Sequence, residues 1–292
     1  MQETADNDTI RDYDNLFRTF YNYAPNLDAV NITEAYIQCK TLLTLADMYD
    51  ALEVVGPRID HHLLQFQSRL WKQIAKYPPS YLKLGYLARS KVIFAEALIH
   101  VVGQWPQGQP QLRNVPDSIL DLIEDKVADL DDLKCRTECR LFRLTLTTSR
   151  GERVTPYNAP VDYQVISLFR SWLAENITPP PPPIPKSAPD GSAAPPSPAP
   201  ITNGRTFRLL GAGGPAYLGH EEVKKFVKSW KPDDYSRENL RRFEKKMEEL
   251  KRLAKETVKP LMRNMLELEG AGLGQGLGYM TCTKVDEGDY PW

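Results

Sequence analysis

The stretch from Thr178 to Asn203 reads TPPPPPIPKSAPDGSAAPPSPAPITN, eleven prolines in 26 residues with Lys186 and Asp190 as its only charges. Proline fixes φ and lacks an N–H, so such a run builds neither helix nor ladder, and this one has almost nothing apolar to bury. It is expected to be a disordered linker over 178–204: a stiff polyproline II rod from Pro179 to Pro185, then a looser Ser/Ala/Gly/Pro spacer. It leaves about 175 residues rich in Leu, Tyr, Phe and Trp on one side and about 90 charged residues on the other. The first block is long enough to bury a core of its own.

In that block apolar residues recur at helical spacing, and the predicted fold class is mainly α. A first helix carries Ile10, Tyr13, Phe17 and Phe20 on one stripe, with Asp8 or Thr9 as N-cap. Asn31 and Glu34 form a capping box for a second, whose buried face is Ile32, Ala35, Tyr36, Cys39, Leu42, Leu43, Ala46 and Tyr49. Gly56-Pro57 starts a third, running to about Leu70. Pro78-Pro79 breaks the chain, Ser80 caps the next helix, and Lys91 to Val102 is apolar nearly all round, as a central core helix must be. After a loop over 103–115, Asn114 and Pro116 launch a long helix ended by Arg150-Gly151, and Pro160 opens a last one carrying Val165, Phe169 and Leu173.

Several of these segments carry a family resemblance. Arg11-Asp12-Tyr13-Asp14-Asn15-Leu16-Phe17 with Phe20-Tyr21, then Leu42 to Asp50 (LLTLADMYD), Val54-Val55 and Leu63-Leu64, resemble the closing helices of BTB/POZ domains. Ser80 to Leu84, Leu87 to Phe94 and Glu96 to Gly103 resemble the BACK-like helical extension of fungal members. The resemblance implies partial BTB/POZ-like helices over 1–75 continuing into a helical bundle over 76–177. It also implies adaptor or scaffold work, in some relatives with ubiquitin ligases or transcription regulators. Ten residues precede Arg11, so the sheet and first helices of a whole BTB fold are expected to be missing, through truncation or an incomplete chain. The faces they would cover, around Leu16, Phe20, Leu42 and Leu45, are then expected to be partly exposed and to bind partners.

Beyond the linker, Arg205 to Glu269 holds sixteen basic and eleven acidic residues, whereas residues 1–204 are acidic by about four charges. Over 205–269 a charged helical segment is predicted. Its long C-terminal helix is capped by Ser236, carries Leu240, Phe243, Met247, Leu250, Ala254, Thr257, Leu261 and Leu268 as a seam, and is ended or kinked by Pro260. The seam suits either a coiled coil or docking on the main domain. Residues 270–292, with glycine at almost every second place up to Gly278, are expected to be a flexible tail.

Candidate chemistry is sparse. Gly211-Ala212-Gly213-Gly214-Pro215-Ala216 mimics a pyrophosphate cradle but lacks the strand–helix–strand context, and reads as a turn. Cys135 and Cys139 share a helix face without the further ligands a structural zinc needs. His61 and His62 diverge by about 100° on a helix; His100 reads as a core histidine. No nucleophile sits beside a base, so an enzyme is not expected, and neither is a cofactor or metal. Pro179, Pro182 and Pro185 lie in a PxxP run that suits aromatic-lined grooves of the SH3, WW or profilin type.

The net charge of -1 provides no global field to attract nucleic acid or an anionic membrane. The longest apolar runs fall short of the roughly 20 residues that span a bilayer. Four cysteines and no signal-peptide pattern fit a soluble protein of cytoplasm or nucleus. The expected function is non-enzymatic protein–protein interaction as an adaptor or scaffold. The alternative is a nuclear nucleic-acid-associated factor using the basic helix with Arg241-Arg242, Lys245-Lys246 and Lys251-Arg252.

Overall fold

A computed structural model of the chain describes residues 2–112, 115–178, 204–230, 235–267 and 277–292. The fold is mainly α, with eleven helices among the described residues and, in place of a sheet, a single antiparallel bridge between Thr147 and Arg153. The expected linker lies outside the described residues apart from Thr178 and Gly204, as do Asn114 and Leu268.

The helices are α1 (Gln2–Phe20), α2 (Ile32–Met48), α3 (Leu52–Leu64), α4 (Ser68–Lys76), α5 (Pro78–Leu87), α6 (Lys91–Gln104), α7 (Asp117–Arg143), α8 (Pro160–Ile177), α9 (Gly204–Ala212), α10 (His220–Trp230) and α11 (Arg237–Val258). They fall into two units. Unit 1 holds α1 to α6, α7 as far as Leu130, and two segments from far along the chain, 264–267 and 281–292. Unit 2 holds the rest of α7, α8 to α11 and residues 277–280. The division therefore does not follow the proline-rich stretch, for α8 and α9 to α11 belong to one unit.

In unit 1, α6 is the central helix: Ile93, Phe94, Ala97, Leu98, Val101 and Val102 are buried. Ser90 caps it by accepting the Ile93 N–H at 3.2 Å while its own hydroxyl donates to Asp60 at 2.5 Å. Asn31 caps α2 as expected but accepts from Thr33, one residue short of the predicted box. Tyr49, predicted for the buried face of α2, lies beyond its end and is exposed.

Other boundaries move for stated reasons. α3 starts at Leu52, so Gly56 serves close approach instead of helix initiation: a Cβ there would sit 2.6 Å from the Ala88 carbonyl oxygen. α3 and α4 are separate helices, parted at Gln67, whose φ of 47° breaks the helical path. Pro78 and Pro79 begin α5 where Ser80 was expected to, because the first turn of a helix has no use for their missing N–H groups. After α7, Leu146 and Val154 pair through a turn in which Gly151 takes φ 78°.

In unit 2 the seam of α11 is buried in cis. Leu240, Phe243, Met247, Leu250, Ala254 and Val258 pack against α8, α9 and α10, which removes the apolar stripe a coiled coil requires. Its charged outer face reflects the ordinary amphipathic division of a surface helix. α11 ends at Val258, two residues before Pro260, as predicted. The described part of the expected flexible tail is instead packed: residues 277–280 belong to unit 2 and residues 281–292 to unit 1, with Thr281 and Thr283 buried. The reason is aromatic, since Tyr290 and Trp292 lie 6.1 and 5.3 Å from Phe94 between ring centroids. No described helix is long and apolar enough to cross a membrane.

Candidate functional site

The most unusual surface belongs to α1, which is seated by polar groups. Asn15 is fully buried; its Oδ1 accepts the Asn26 N–H at 2.6 Å and its Nδ2 donates to the Asn26 carbonyl at 3.2 Å. Thr19, also buried, donates to the Asn15 carbonyl at 2.8 Å. These two residues and Leu16 form the inward side. With 3.6 residues per turn, Ile10, Tyr13, Phe17 and Tyr21 fall within about 80° on the opposite side. Ile10, Phe17 and Tyr21 are 66%, 54% and 75% exposed. Phe20 extends the patch by an edge-to-face contact with Phe17 at 6.3 Å, and Tyr49 joins it through Tyr13, the two hydroxyls 3.2 Å apart. That hydroxyl contact raises the pKa of Tyr13, so the phenol stays neutral in the physiological range.

This geometry corrects the predicted interaction residues. Leu16 and Leu42 are buried, 1% and 0% exposed, and contribute to the core. Leu45 is half-buried, and only Phe20 of the four is well exposed. An exposed apolar face is present, built from Ile10, Phe17 and Phe20 of the stripe predicted for α1. Pro179, Pro182 and Pro185 lie outside the described residues.

Unit 2 contains a largely apolar pocket of about 360 Å³ that sequence reasoning missed, with His220, Glu244, Glu248 and Lys251 as its polar lining. Lys251 is buried, and its ammonium donates to the carbonyls of Gly214 and Leu218 at 2.7 and 3.1 Å and to Glu248 at 2.9 Å. It also lies 5.3 Å from the Tyr217 ring, which stacks on Trp172 at 4.5 Å. His220 Nδ1 pairs with Glu244 at 2.5 Å. The loop is bent to present those carbonyls: Gly213, Gly214 and Leu218 all have positive φ. A loop that turns carbonyls toward a buried cation has the opposite polarity to a phosphate cradle, whose N–H groups face the ligand. The only advance signals were the Gly-Gly pair and the Glu244, Glu248, Lys251 spacing of one helix face.

Compared with protein-family models, curated proteins and solved structures, the chain matches none of them.

The remaining candidates are accounted for locally. His62 Nε2 bonds the Asp28 carbonyl at 2.8 Å, and His61 pairs with Gln65. Cys135 and Cys139 are both exposed on α7; the neighbouring Cys139, and then Glu138 and Asp132, raise the Cys135 pKa and keep it a thiol. Among the described residues no three His, Cys, Asp or Glu side chains are grouped to hold a metal ion. On α11, Arg242 reaches Asp162 at 3.3 Å, Lys246 reaches Glu249 at 2.9 Å and Lys251 is buried, so half of the basic residues singled out there are engaged within the chain.

Proposed function

We propose that this is a non-enzymatic protein-interaction protein, an adaptor or scaffold of the kind its resemblance to BTB/POZ-type helices implies, and that the outer face of α1 is its docking surface. One observation carries the reading: α1 buries Asn15 and Thr19 and turns Ile10, Phe17 and Tyr21 to solvent. Exposing large side chains that a simple rotation of the helix would bury has no stabilising value, whereas contiguous apolar patches on a protein surface mark contact sites. The aromatic content fits, because Tyr and Phe bring large contact area at low conformational cost.

The internal pairing of Arg242, Lys246 and Lys251 gives the nucleic-acid alternative less support, since charges already engaged displace fewer phosphate counterions. The test is Phe17→Ser with Tyr21→Ser in the full chain. Both residues are exposed, so the melting temperature stays within the change expected for about 0.5 kcal/mol. Affinity purification with quantitative identification of bound chains should show specific partners lost from the double variant. Identical partner sets for parent and variant would remove the proposal. Retention on DNA that falls steeply with salt would favour the alternative instead.

A further inference from the structure

The second surface of interest is already filled. In unit 1 a cleft over α6 receives the segment from Asp286 to Trp292, and the seating has the organisation of an interface, with an aromatic centre and a charged rim. At the centre, Trp292 stands edge-on to Phe94 at 5.3 Å, Tyr290 lies 6.1 Å from Phe94, and Tyr86 lies 6.3 Å from Trp292. At the rim, Lys91 bonds Glu287 at 2.5 Å and lies 5.3 Å from the Tyr290 ring, and Lys126 pairs with Asp289 at 2.6 Å. The segment is itself shaped for the cleft: Asp286 and Asp289 cap the short turn Glu287–Asp289 reciprocally, which aims Tyr290 and Trp292 at α6.

Three features separate this from the completion of a core. Trp292 remains 37% exposed and Tyr290 and Pro291 are only half-buried. The polar links are two lysines against two carboxylates, Lys91–Glu287 at the exposed edge and Lys126–Asp289 largely covered, so recognition depends on charge complementarity as well as burial. A cavity of about 490 Å³ continues beside Trp292, bordered by Asp47, Leu52, Lys83 and Arg89, so the cleft is longer than the segment lying in it.

We propose that this cleft is a peptide-recognition groove for acidic segments ending in an aromatic Tyr-Pro-Trp-like cluster of a partner protein, and that residues 286–292 occupy it in cis as a competing pseudo-ligand. Phe94 and Tyr86 form the apolar floor, Lys91 and Lys126 read the acidic positions, and Lys83 extends the basic border for a longer ligand. The groove is distinct from the face of α1, and neither proposal depends on the other. A tethered segment at an effective concentration on the order of 1 mM masks a groove with a Kd of about 50 µM for the free peptide by roughly 20-fold.

The probe is a fluorescein-labelled peptide of the sequence Val285–Trp292, followed by fluorescence polarisation against the full-length chain. The parent should bind weakly. Tyr290→Ala with Trp292→Ala, which empties the groove, should bind roughly 20-fold more tightly. A milder release variant, Glu287→Lys with Asp289→Asn, keeps the aromatic packing and should show the same direction if the first variant is unstable by circular dichroism. Lys91→Glu placed in the release background should lose the peptide, and a peptide carrying Glu287→Lys should restore binding to it. That rescue separates recognition from a general loosening of the fold. The proposal is overturned if neither release variant gains affinity, if charge reversal at Lys91 has no effect or is not rescued, or if light scattering shows release variants and parent pairing by exchange of this segment between copies.

Discussion

Glu96 and His100 lie one turn apart on α6, each at most 2% exposed, and together they set a sharp pH prediction. Glu96 Oε2 accepts the Glu267 N–H at 2.9 Å, whereas Oε1 has no hydrogen-bond partner and lies 4.0 Å from His100 Nε2. An orphaned oxygen facing a ring nitrogen suits a protonated carboxyl better than a carboxylate. Burial, reinforced by the nearby charge of Glu267, pushes the Glu96 pKa from 4.5 up to about 7, and burial pushes His100 from 6.5 down to about 4. Between pH 4.5 and 6.5 the folded pair is therefore neutral, with one proton on Glu96. The unfolded pair also binds one proton, on His100, with Glu96 ionised. Equal proton counts mean that the pair adds no slope to stability in this window.

Separating the two groups exposes opposite slopes. Glu96→Gln removes a carboxyl that keeps its proton only when folded, so stability relative to the parent should climb as pH rises from 4.5 to about 7. His100→Gln removes a ring that takes up a proton only when unfolded, so relative stability should fall as pH rises from about 4 to 6.5. At about 1.4 kcal/mol per pH unit, each change amounts to about 3 kcal/mol across its window. Urea unfolding at half-unit pH steps, read by circular dichroism and expressed as each variant's difference from the parent, measures both. Parallel profiles for the two variants, or slopes of the same sign, would refute the assignment of the shared proton.

Two further outcomes follow from packing. Lys251→Met should destabilise unit 2 by about 3 kcal/mol because the carbonyls of Gly214 and Leu218 lose their buried donor; hydrogen exchange should speed up in α10 and α11. Gly56→Ala places a methyl group 2.6 Å from the Ala88 carbonyl oxygen and should cost about 2–3 kcal/mol, visible as a lower urea midpoint with unchanged helix content in native buffer.

The helical class and the central position of α6 were legible because 3.6-residue periodicity and the caps Asn31 and Ser236 are local signals. The sidedness of α1 was not. Its apolar stripe is the obvious candidate for the inside, and only the pairing of Asn15 with the backbone of Asn26 reverses it. The tail was misread for a related reason: glycine-rich composition describes residues 270–278, whereas Tyr290 and Trp292 find Phe94 almost 200 residues upstream, and no spacing rule reports so distant a contact. The His220–Glu244 pair escaped notice likewise, since its members sit on different helices. The burial of Lys251 was not legible because a helix face rich in Lys and Glu gives no sign of carbonyls waiting beneath it.

Because residues 281–292 belong with α1 to α6, the first unit to emerge from the ribosome is the last to be finished. While the intervening α8 to α11 are being synthesised, Phe94 and its neighbours wait without their final covering, a nascent-chain state that invites chaperone capture or self-association. A lesion within residues 281–292 would be felt at α6, some two hundred residues away along the chain.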